Sequence, residues 1–248
     1  MVFVLFRNLI LYKFLMFEAF EMGMFLELSS FWFYVIDLLL VLCFTVLLFL
    51  FYRPKFELNN PPFKPFVLLL IIISSFAFRV FEDPIINFKF ILSNEKSFLF
   101  NEIQYPLNDK IIIFLFFVIF APFMEELFYR KIILNIFKKS IYAIAFSSIL
   151  FGAVHLSNGI SVFSFFTTVL FGILLCLIFY KFGFFYCFAF HAIYNLLFFL
   201  NKYIFPERYY ETISQLNYNF YYWSIVFLSI LFLIFFVRWI INDKKYAH

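Results

Sequence analysis

Charge is the scarce commodity in this chain. Only 14% of its 248 residues are Asp, Glu, Lys or Arg, 66% are hydrophobic, and the mean hydropathy is +0.99. A soluble domain carries about 25% charged residues, and a soluble core cannot hide this much apolar surface. The surrounding solvent must therefore be lipid, where a chain closes its backbone hydrogen bonds within helices. The expected fold is all-α, a polytopic transmembrane helical bundle. Cysteine is scarce too. Cys43, Cys176 and Cys187 all fall inside apolar runs, which excludes a disulfide framework and makes them small hydrophobes. No small-residue cleavage site follows the apolar run at 1–17, and Glu18, Glu21 and Glu27 come next, so a cleaved signal peptide is not expected. Internal repeats, low-complexity linkers and soluble segments are also missing. Residues 1–248 read as a single membrane domain, and the lack of inverted repeats weighs against a small transporter. The net charge of +4 is scattered. That suits loops beside anionic lipid and gives no nucleic-acid surface.

What is abundant says less. Forty-eight Phe residues, beside much Ile, Lys, Asn and Tyr, look like codon drift in an AT-rich genome, since Phe and Leu serve equally against lipid. The apolar runs predict about seven spans: 31–52, 66–81, 111–137, 141–156, 161–180, 184–204 and 221–241. Residues 1–28 are ambiguous between an interfacial helix and an eighth span. Arg53-Pro54-Lys55 closes the first span, and Pro61, Pro62 and Pro65 keep the next connection irregular. Arg79 is expected to snorkel from the end of the second span. The polar stretch 82–110 reads as a surface loop with an interfacial helix. The segment 111–137, at about 1.5 Å per residue, is near 40 Å long, more than the hydrocarbon core; it must tilt, kink at Pro122 or protrude. Lys and Arg fall eleven on one side and eight on the other, a lean toward a cytoplasmic C-terminus.

Against this background, three groups of polar residues stand inside apolar segments. The first is Glu125-Glu126-x-x-x-Arg130, the second Phe151-Gly152-Ala153-Val154-His155, the third His191-Ala192-Ile193-Tyr194-Asn195. Apart from the terminal His248, every histidine of the chain is in one of them. A charge at the centre of a membrane helix costs about 2.5–3.5 kcal/mol on an insertion scale, so such residues need partners or a function. Asp37 and Arg79 are read as structural. Within the first group, Glu126 and Arg130 are four apart and share a helix face, the spacing of an ion pair. Glu125 lies about 140° around the helix from Arg130, which leaves it to face a cavity as a general base. His191 and Asn195 also share a face. Gly152 and Ala153 leave room beside His155 for a neighbouring backbone. Two uses of the set stand open at this point. In one, Glu125 and His155 activate water while His191 and Asn195 donate hydrogen bonds to an oxyanion. In the other, Glu125, His155 and His191 ligate a metal such as zinc.

The ordered trio resembles the motifs of the CAAX protease and bacteriocin-processing family (CPBP, also called Abi) of glutamic intramembrane endopeptidases. The family pattern is Glu-Glu-x-x-x-Arg, then Phe-x-x-x-His, then His-x-x-x-Asn or Asp, on separate transmembrane helices. All three parts are present here, and the resemblance covers a motif core of about 111–200. It implies peptide-bond hydrolysis with no obligatory metal or other cofactor. By it, Glu125 and His155 activate water, Glu126 and Arg130 support the site, and His191 and Asn195 stabilise the oxyanion. The implied partners are a peptide or protein-tail substrate and the lipid bilayer. Members cleave prenylated CAAX tails in eukaryotes; in bacteria they are linked to bacteriocin maturation or self-immunity, signal-peptide processing and C-terminal sorting tags. The AT-biased, compact sequence leans bacterial, placing the protein in a bacterial cell membrane. A non-catalytic immunity or peptide-binding role is the alternative. With ideal perpendicular helices, Glu125 falls near mid-membrane, while His155 and His191 lie toward opposite faces.

Overall fold

A computed structural model describes residues 63–86, 107–134, 141–156, 162–205 and 218–242. The expected span at 31–52, the segment 1–28, Asp37, Cys43 and His248 lie outside them. The described residues are helical almost throughout. In chain order they form α1 (Pro65–Ile86), α2 (Leu107–Phe114), a π-helical turn π1 (Leu115–Phe120), α3 (Ala121–Glu126), a second π segment π2 (Leu127–Ile133), α4 (Ile141–Leu156), α5 (Val162–Phe182), α6 (Phe184–Phe199) running into π3 (Leu200–Ile204), and α7 (Phe220–Asn242). Five helical stretches are long and apolar enough to cross a membrane: Pro65–Ile86, Lys110–Ile133, Phe163–Phe182, Phe184–Ile204 and Phe220–Asn242. A shorter apolar helix, Ile141–Ala153, accompanies them. Their outward side chains, such as Phe227, Leu228, Leu231, Ile234 and Phe235 of α7, are exposed apolar groups, as contact with lipid requires. The protein is an integral membrane protein.

Helix α6 is the centre of the bundle. It packs on α1, α5, α3 and π1, while α4 lies along α5 and α7 along α1. One residue, Gly183, joins α5 to α6 at φ 85°, a left-handed turn that a side chain would disfavour. Small polar groups tie the helices together where lipid supplies no hydrophobic driving force. Ser75 Oγ donates to its own helix at Ile71 O and reaches Phe190 O of α6 at 3.2 Å. Ser147 Oγ of α4 donates to Tyr129 O of π2 at 3.0 Å. The start of α7 is capped by Asn219, whose Oδ1 accepts the Tyr222 N–H at 3.1 Å, a common N-terminal device.

The second expected span departs most from its sequence expectation. Helix α1 does not stop at Phe81; it continues to Ile86 and buries Glu82, Asp83 and Pro84. Those charges read as a surface loop because their partners come from far along the chain. Tyr194 OH and Arg79 both donate to Glu82, and Tyr222 OH donates to Asp83 Oδ2 at 2.7 Å. Arg79 is paired within its own helix. It turns inward to Glu82 and lies over the rings of Phe198 at 5.2 Å and Tyr194 at 5.9 Å. Tyr218, just before α7, has its phenol held above the ordinary range, by burial first and by the Asp83 charge second.

Two glycines set helix separations. A Cβ on Gly172 of α5 would lie 3.0 Å from Ser148 Cα of α4, so backbone meets backbone there. At Gly152 the neighbours are side chains, Val169 and Phe165, and Ala153 beside it is exposed. The room expected at this pair for a neighbouring backbone is thus used at Gly152 by side chains. Gly172 is the closer backbone contact. Both sites gain about 1 kcal/mol of helix propensity on substitution by Ala, while overpacking costs about 1–3 kcal/mol. Side-chain ends at Gly152 can yield and the Ser148 backbone cannot. Thermal midpoints of the purified variants should therefore fall further for Gly172→Ala than for Gly152→Ala; the reverse order would contradict this packing.

Candidate active site

The site is built around one carboxylate. Glu126 ends α3 with no measurable exposure, and Arg130 one turn on is equally buried. Arg130 Nε stands 3.1 Å from Glu126 Oε2, an ion pair at the four-residue spacing read from sequence. Taking two ions out of water costs several kcal/mol each, and the surroundings offset part of it, with Arg130 Nη1 left without a hydrogen-bond partner among the described residues. Arg130 Nη2 donates to Gly172 O at 3.3 Å. Its guanidinium lies 4.8 Å from the Phe151 ring centroid and 5.5 Å from that of Tyr129, within cation–π range. On the carboxylate, Cys187 Sγ donates to Oε2 at 2.9 Å. His191 Nδ1 stands 2.7 Å from Oε1.

That last contact sets the chemistry of His191. A carboxylate only accepts, so Nδ1 carries the hydrogen, and the site-facing nitrogen is Nε2. Glu125 is on the other side of the ring, with Oε2 3.7 Å from His191 Nε2. The imidazole therefore lies between two carboxylates, one saturated by donors and one not. The side chain of Glu125 keeps 17% of its exposure, against none for Glu126. Among the described residues no lysine or arginine pairs with Glu125.

His155, in the last turn of α4, is half-buried. Its Nδ1 lies 2.8 Å from Phe151 O, so by the same rule Nδ1 donates and the neutral ring keeps its lone pair on Nε2. The Phe151 ring joins the pieces. Its centroid is 4.5 Å from that of His155 and 5.8 Å from that of His191, and it also carries Arg130. Asn195 is buried one turn beyond His191, and its Nδ2 donates to Phe117 O of π1 at 2.8 Å.

The structure thus brings Glu125, Glu126, Arg130 and His191 into direct contact and attaches His155 through Phe151 and Asn195 through π1. The convergence is helped by the irregular segment 115–133, where π turns stand on either side of α3; π turns re-aim the side chains that follow. Sequence reading missed Cys187, taken as a small hydrophobe. It stands four before His191, on the same face, and that spacing was the available signal. Gly172 was missed as well, since a backbone acceptor leaves no mark in the side-chain pattern. For the zinc alternative, no group of three His, Cys, Asp or Glu side chains among the described residues is arranged to hold a metal ion.

Comparison with known proteins gives one family. Residues 107–197 match the family model described as type II CAAX prenyl endopeptidase, Rce1-like. No curated protein matches, and no solved structure matches. The matched segment runs from α2 into α6 and contains all six candidate residues. The likeness to this family is confined to residues 107–197 of the 248.

Proposed function

We propose that the protein is an intramembrane endopeptidase of the glutamic type, hydrolysing a peptide bond in a membrane-associated peptide or protein tail. One observation carries the reading: Glu126 is met by Arg130, Cys187 and His191, while Glu125, partly exposed, meets among the described residues the far nitrogen of His191 alone. Of two adjacent carboxylates, one is spent on structure and one is left for chemistry.

The proposed step takes Glu126 as spent on Arg130 and uses His191 with Nδ1 held by Glu126 and a hydrogen on Nε2 to give to the substrate. Glu125 takes a proton from water, whose other hydrogen is held by His155 Nε2. The water oxygen bonds to the carbonyl carbon of the scissile amide. The negative oxygen that forms receives the Nε2–H of His191 and the second amide hydrogen of Asn195. Glu125 then returns its proton to the amine nitrogen as the C–N bond breaks, acting as base and then as acid. Peptide maturation, bacteriocin-related processing and C-terminal tail processing in a bacterial cell membrane are the physiological settings this chemistry suits.

Two neighbouring substitutions should behave differently. Glu125→Gln should lower cleavage by about 10²–10⁴-fold, the usual worth of a general base, with an unchanged thermal midpoint. A membrane peptidome compared with wild type would reveal the uncleaved substrate. Full cleavage by this variant would sink the proposal, and an intact phenotype without cleavage would assign the site to peptide binding. Glu126→Gln leaves the Arg130 charge buried without its counter-ion. It should cost about 3–5 kcal/mol of stability, read as a fall in thermal midpoint that Glu125→Gln does not share.

A further inference from the structure

Pro122 sits where π1 gives way to α3, one turn before Glu126. In π1 the hydrogen bonds run from residue i to the carbonyl of i−5: the Ala121 N–H reaches Phe116 O. The next bond in that ladder would run from residue 122 to Phe117 O. Proline has no N–H, and Ala121, which would serve Phe117 O in an α-helix, is already committed to Phe116. The Phe117 carbonyl is therefore left without the backbone donor that either helix type would give it. A carbonyl in that state, in an apolar setting, needs a donor from elsewhere. The donor it does receive is Asn195 Nδ2, at 2.8 Å, from a helix 78 residues away in sequence.

We propose that Asn195 is a positioning residue that substitutes for the N–H missing at Pro122. The bond fixes the height of the Glu125–Glu126 segment against the helix carrying His191, and so holds the Glu125–His191–Glu126 register. It deepens the catalytic reading above and rests on it for the use of that register. Only one of the two amide hydrogens is needed, so the other stays available for an oxyanion. The arrangement pairs a defect in one helix with the side chain that repairs it, and each makes sense of the other.

The pairing can be tested because its two halves can be removed separately. Pro122→Ala restores a backbone N–H at the defect, so it should make the Asn195 donor dispensable for position. Wild type, Pro122→Ala, Asn195→Ala and the double variant would be compared as full-length protein in detergent. The readouts are thermal midpoint and the ring-nitrogen spectrum of labelled histidine, which yields one set of signals for each of the three histidines. Asn195→Ala should lower the midpoint and displace the His191 signals, and the double variant should recover both. Recovery of neither overturns the proposal. A recovered midpoint with His191 still displaced also overturns it, because Asn195 would then hold the fold without setting the register. If Asn195→Ala does not fold, Asn195→Asp, which has the shape without the donor, replaces it in the same comparison. Cleavage is measured alongside: a lost register should cost about 10²-fold in kcat, partly regained in the double variant. His191 recovery in a protein whose Glu125→Gln variant still cleaves would leave the register standing while the proteolytic reading fails.

Discussion

Everything else in the site depends on the buried contact between Glu126 and Arg130. A carboxylate and a guanidinium with no exposed surface are tolerable only with compensating partners, and on the guanidinium these are the ion pair, one carbonyl and two ring faces rather than a full set of hydrogen bonds. That requirement recruits Cys187 and His191 from α6, the Gly172 carbonyl from α5 and the Phe151 ring from α4. Four helices are thereby held at one point. The orientation of His191 then follows from electrostatic necessity: one nitrogen is committed to Glu126, and the other is presented to Glu125.

The same logic recurs away from the site in a plainer form. Glu82 and Asp83 on α1 are buried carboxylates, and each is met by a tyrosine hydroxyl, from α6 and α7 respectively. These contacts lock α1 between the helix that bears His191 and α7. Tyr194 belongs to both systems, lying between His191 and Asn195 in sequence while its hydroxyl serves Glu82. Loosening α1 would therefore be felt one turn from the imidazole.

The sequence was most legible where the signal is local. The helix Ile141–Leu156 and the stretch Phe184–Ile204 match their expected bounds, because apolar length and a glycine or lysine at the ends suffice to mark them. The Glu126–Arg130 pair also followed from spacing within one turn. What could not be read is pairing between helices. Nothing in residues 82 and 83 announces tyrosines at 194 and 222, so two buried acids looked like loop charges. The π turns were invisible for another reason: Leu115–Phe120 is apolar on every side, so no polar residue records a change of helical phase. Cys187 passed as apolar because a thiol reads as such until an acceptor is placed beside it.

Gly183 has a consequence for how a substrate can be met. It turns the chain between α5 and α6 in a single residue, so no connecting loop stands between these two helices. Eight residues separate it from His191, about 12 Å along the helix at 1.5 Å per residue. On the proposed reading, a peptide entering from this end would travel that far among apolar side chains before its carbonyl met the site. A helical segment cannot present it, since its amides are bonded to one another; an unwound one can, at the cost of exposing them. On that reading selectivity would rest on how readily a segment gives up its helix at that depth, with side-chain identity read only afterwards.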